Sequence, residues 1–123
     1  PGETAAQVEA ELQAILDRLS AADEQFKATL TMGVVREPFE ISENAEIVRV
    51  LGRAVERELG QEPVIYGGFG WMDSALLAAA GVPTAIFGPS GDGAHALVEW
   101  SDLASLETFT RVLTRVVYDF CAT

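Results

Sequence analysis

Hydrophobic positions along this chain follow two periods. Val8, Leu12, Ile15, Leu16 and Leu19 recur at helical intervals, which predicts an amphipathic helix over residues 4–20. Thr4 and Gln7 at its start have the spacing of a capping box, in which each side chain satisfies the other residue's backbone N–H. The period then changes to two. Phe26, Ala28, Leu30, Met32 and Val34 alternate with Lys27, Thr29, Thr31 and Gly33, which predicts a half-buried strand. Pro38 ends it, because proline offers no N–H to a ladder.

Helical spacing returns over 42–59. Ile47, Val50, Leu51, Ala54 and Val55 share a face there, and Gly60 supplies the stop. Residues 63–67 (PVIYG) and 83–87 (PTAIF) are short apolar runs between turn residues and read as buried strands. Between them lies a short, nearly apolar helix over 71–80, with Asp73 near its start. Asp102 caps a last helix that turns Leu103, Leu106, Phe109, Leu113, Val116, Val117 and Phe120 inward.

The order is α-β-α-β-α-β-loop-α, which predicts an α/β fold. The two later strands are apolar on both faces, as in a parallel sheet covered by helices. The first strand is one-sided and antiparallel in character. This change of packing falls near Pro38 to Ser42, and divides the chain into residues 1–39 and 40–123.

Charge narrows the function classes. Nineteen acidic residues against eight basic ones give a net charge of −11, the reverse of a nucleic-acid footprint and unsuited to anionic membranes. No apolar run approaches the roughly 20 residues that span a bilayer. The single cysteine, Cys121, excludes an internal disulfide and fits a reducing compartment, so a cytoplasmic protein is expected. The chain opens on Pro1 with no methionine, which suggests a segment of something longer.

Candidate chemistry gathers late in the chain. Gly67-Gly68-Phe69-Gly70 stands between a strand and a helix, where it serves either as an anion cradle or as a tight turn. Gly88-Pro89-Ser90-Gly91-Asp92 resembles a nucleophile elbow but ends in Asp92, which argues against a serine hydrolase. His95 is the only histidine, and it follows Gly88, Gly91 and Gly93 on a loop after a buried strand. If HALVE (95–99) is helical, Glu99 shares a face with His95 and could orient the imidazole. Spacing alone also suits an exposed loop histidine. One histidine makes no zinc site, which takes three or four ligands.

Residues 61–102 carry a more specific pattern. The run WMDSALLAAAGVPTAIFGPSGDGAHALVEWSDL contains Asp73 at a helix start, Gly81-Val82-Pro83, Gly88-Pro89, a glycine-rich loop, His95, and Glu99 four positions on. It resembles the C-terminal segment of the zinc-dependent deacylases and exopeptidases that include acetylornithine deacetylase, succinyl-diaminopimelate desuccinylase, aminoacylase and carboxypeptidase G. The opening PGET before a helix is similar to their lid domain.

The resemblance implies that residues 1–39 are the second half of a lid, or dimerisation, domain. Residues 40–123 would be the C-terminal part of a mostly parallel α/β catalytic domain. It implies hydrolysis of an N-acyl amino acid or small peptide at two zinc ions, replaceable by cobalt or manganese, and a homodimer. His95 matches a zinc ligand. Ser90 and Gly91 would face the substrate carboxylate, with Asp73 and Glu99 supporting. The family's other ligands and its general base match nothing in this chain, so the chain alone is expected to be inert and to bind zinc weakly. Two alternatives stay open: a dimerisation module that pairs through the strand at 26–34, and a degenerate relative without metal.

Overall fold

The computed structural model describes residues 2–122. Its elements, in order, are α1 (Ala5–Ala22), α2 (Glu46–Leu59), α3 (Ser74–Ala79), β1 (Gly91–Asp92), β2 (Trp100–Ser101) and α4 (Leu103–Cys121). Local chemistry sets the helix ends. At α1 the capping box is formed: Thr4 Oγ1 accepts from the Gln7 N–H at 3.3 Å, and Gln7 Oε1 accepts from the Thr4 N–H at 2.8 Å. α2 begins later than residue 42 because Ser42 closes a turn of its own. Its carbonyl accepts from the Ala45 N–H at 2.9 Å and its hydroxyl from the Asn44 N–H at 3.2 Å. Gly60 ends α2 in the left-handed region, at φ +68°. Asp102 caps α4, accepting from the Ser105 N–H at 2.6 Å.

The core is the seam between α2 and α4. Val50, Ala54, Val55, Val112 and Val116 are buried, with Ile47, Leu51 and Phe87 packed against them. Ala54 and Val112 are fully buried, so a small side chain on one helix accommodates a branched one on the other. The Phe87 and Phe109 rings meet at 5.6 Å between centroids and fasten residue 87 to α4. Along the seam, Glu58 takes Arg115 at 3.1 Å and Arg111 at 3.4 Å, and Arg57 pairs with Asp119 at 3.2 Å.

The sheet differs from expectation. Among the described residues the strands are β1 and β2 alone, an antiparallel pair with Gly91 opposite Ser101 and Asp92 opposite Trp100. Residues 26–34, 63–67 and 83–87 form no ladder, so the expected parallel sheet is not assembled. The physical reason is that a strand exists only against a partner edge, and apolar alternation encodes the face without supplying the edge. Val34, Val64 and Tyr66 are each more than four-fifths exposed.

α1 is likewise uncovered, with no buried residue along its 18 positions. The total accessible surface is 9839 Å², against about 6,400 Å² for a compact monomer of this mass. Much apolar surface therefore awaits a covering layer. Among the described residues no helix is long and apolar enough to cross a membrane.

Candidate functional site

The candidate site is the hairpin β1–β2 and its loop, residues 93–99, which carries His95. Its base is bolted to the start of α4. The Ser90 N–H donates to Ser105 Oγ at 2.9 Å, and the Asp102 N–H donates to the Ser90 carbonyl at 2.9 Å. The Ser105 hydroxyl also lies 2.8 Å from the Asp102 carbonyl oxygen, which it reaches as donor. Two residues at the start of α4, Ser105 and Asp102, thus take both backbone groups of Ser90.

The loop is shaped by glycines at two close approaches. A Cβ on Gly91 would collide with the Trp100 carbonyl oxygen, and one on Gly93 with the Val98 carbonyl oxygen. Gly93 also sits at φ +79°, which L side chains rarely adopt. Its N–H donates to Asp92 Oδ1 at 2.7 Å. A turn then closes from the Ala96 N–H to the Gly93 carbonyl at 2.8 Å, with His95 at its third position and φ +65°. That is the position where a type II turn demands positive φ, and histidine tolerates it better than most residues.

The loop conformation corrects one reading. Residues 95–99 are not helical, so His95 and Glu99 do not share a helix face. Two left-handed residues in three positions turn the chain back before a right-handed turn can propagate. His95 and Glu99 are both exposed, and neither side chain makes a hydrogen bond or ion pair among the described residues. Leu97 and Val98 point outward, Leu97 entirely.

Asp73 lies at the start of α3 as expected. Its carbonyl accepts from the Leu76 and Leu77 N–H groups, while its carboxylate makes no cap bond. Beside it, Ser74 Oγ is buried without a hydrogen-bond partner. Among the described residues no three His, Cys, Asp or Glu side chains gather into a group able to hold a metal ion. A lone imidazole does not complete a zinc site, so this donor set does not fit a resident metal on its own.

Three features escaped the sequence reading. Ser105 was hidden among ordinary helix-start residues, although its distance from Asp102 is the capping spacing. Trp71 receives the Arg36 guanidinium over its ring at 5.2 Å and donates its indole N–H to the Glu37 carbonyl at 3.3 Å. A surface groove of about 460 Å³ lies over α2 and α4, lined by Glu58, Thr110, Arg111, Thr114, Arg115 and Tyr118. It includes none of the site residues named from the sequence.

Comparison with known proteins supplies the class. The pattern of peptidase family M20/M25/M40 matches residues 3–119. The chain belongs to this family. Among curated relatives it is 30% identical over 90 residues to the N-formyl-4-amino-5-aminomethyl-2-methylpyrimidine deformylase of Halalkalibacterium halodurans, a match covering 72% of this chain and 21% of that protein. It is 26% identical over 86 residues to the succinyl-diaminopimelate desuccinylase of Hydrogenovibrio crunogenus, covering 70% of this chain and 23% of the relative. The chain therefore spans less than a quarter of either relative's length. No solved structure matches it.

Proposed function

We propose that this chain is the C-terminal portion of a metal-dependent amide hydrolase that removes an acyl group from an N-acyl amino acid or a related small amide. The observation that carries this reading is the family match across residues 3–119. The names of the two relatives support it, since a deformylase and a desuccinylase each take an acyl group off nitrogen.

In this reading His95 supplies one ligand to a two-zinc centre whose other ligands and general base come from residues outside this chain. Its exposed, unpartnered imidazole on a glycine-shaped loop suits that task. Cobalt or manganese could replace zinc. Asp73 and Glu99 support the site. Ser90 has already given its amide to Ser105, so its part in holding a substrate carboxylate falls to its hydroxyl, beside the Gly91 backbone. The described residues complete no metal site, and no catalytic step is assigned to them.

Residues 1–39 are proposed as half of a lid and dimerisation unit in a cytoplasmic homodimer. The uncovered apolar face of α1 (Val8, Leu12, Ile15 and Leu19) supports a surface built to be covered.

The test is hydrolysis of N-formyl, N-acetyl and N-succinyl amino acids by the full-length protein. Activity is expected to vanish with a chelator and to fall at least about 100-fold in His95→Ala, beyond the 10–100-fold typical of groups behind the ligands. Undiminished turnover in His95→Ala would overturn the assignment.

A further inference from the structure

The contact at Trp71 joins two segments 34 positions apart in sequence. On one side is the stretch after the expected lid strand, Arg36-Glu37-Pro38. On the other is the loop that follows Gly67-Gly68-Phe69-Gly70 and leads into Asp73 and α3. Three contacts meet there. The Arg36 guanidinium stands 5.2 Å from the indole centroid, inside the range where the ring's negative face attracts a cation. The same guanidinium donates from Nη1 to its neighbour's carbonyl, Val35 O, at 3.1 Å, which holds it folded against its own backbone. The indole N–H donates to the Glu37 carbonyl at 3.3 Å. Trp71 is thus gripped on its face and at its edge by two consecutive residues.

We infer that Arg36 and Trp71 form a clamp that fixes the inter-unit segment at 36–41 to the loop leading into α3, which makes them positioning residues for that segment. Neither segment has a ladder of its own among the described residues, so no strand pairing holds the segment in register. Pro38, directly after the clamp, cannot donate a backbone N–H. Along the chain the indole bond at Glu37 precedes the Ser42 turn, with the partly buried Phe39 and Ile41 between them. Loss of the clamp would free the segment at 36–41 from the loop, while Asp73 stays held by its carbonyl in the first turn of α3. The clamp is independent of metal: it stands or falls whatever His95 binds.

A glutamate-specific protease reads the clamp directly: the Glu37–Pro38 bond resists it, and its sites after Glu40 and Glu43 lie at the end of the held segment and just beyond it. When opening is fast relative to cleavage, the cutting rate follows the open population. Arg36→Met keeps a long side chain and removes the cation, so cleavage there should rise about two- to fivefold, the equivalent of an exposed cation–π contact. Trp71→Ala removes ring and N–H together and should raise it about tenfold. Arg36→Lys keeps a cation over the ring and should restore most of the protection, a rescue that a bulk packing role would not show.

The assay is run on the intact protein, with circular dichroism confirming the helices and mass spectrometry locating the cuts. Cleavage at unchanged rates in both Arg36→Met and Trp71→Ala would overturn the clamp. If Trp71→Ala loses its helices, Trp71→Phe decides in its place. It keeps the face and loses the N–H; a two- to threefold rise, about the weight of one exposed hydrogen bond, supports the clamp, and an unchanged rate overturns it.

Discussion

At the scale of single residues, the hairpin loop depends on backbone shapes that few side chains accept. Gly93 combines positive φ with a close approach to the Val98 carbonyl, and His95 two positions on repeats the left-handed twist. Gly93→Ala therefore meets both strain and collision, at a cost of more than about 1 kcal/mol. Gly88→Ala meets open space and should be silent. Native-state hydrogen exchange at the Ala96 and Asp102 amides checks the pair: at least about fivefold faster in the first variant, unchanged in the second. Equal exchange in both would contradict this account of the loop. The residue types of this loop were readable in sequence, and so was the singular histidine. Its conformation was not. HALVE has helix-forming residues, and only the left-handed positions at 93 and 95 stop them from making a turn of helix.

At the scale of elements, the helices were legible because their causes are local. Thr4 with Gln7, Gly60 and Asp102 mark three helix ends by chemistry confined to a few neighbours. Ser42 misled by capping a turn in place of a helix. The strands were illegible for the opposite reason: their alternation is real, but their pairing is a property of other edges. Stability should rest on the α2–α4 seam. Val112→Ala removes two carbons from a fully buried site and should cost about 2 kcal/mol in urea unfolding. Glu58→Gln should cost about 1 kcal/mol or less and lose that effect in salt. Arg111 and Arg115, its partners, are 55% and 40% exposed, and solvent screens such pairs. A larger loss from Glu58→Gln than from Val112→Ala would show that ion pairing, and not the apolar seam, holds these helices together.

At the scale of the whole molecule, the accessible surface is about half again that of a compact monomer, by the 9839 Å² measured against the expected scaling. This agrees with a chain that aligns with less than a quarter of its relatives and shares their family throughout. It also explains why the candidate site is open. His95 is presented on a built loop, yet no second or third ligand stands near enough to form a metal group among the described residues. The family was legible in the sequence through a spaced pattern, Asp73 to Glu99, and its match extends over residues 3–119.

The most direct test of the central claim counts metal. Zinc content of the full-length protein, purified without added metal, would be measured by mass spectrometry alongside His95→Ala. The account predicts two zinc ions per chain, with one lost or much weakened in the variant. Equal zinc content and affinity in both proteins, or none in either, would contradict the assignment of His95 as a ligand.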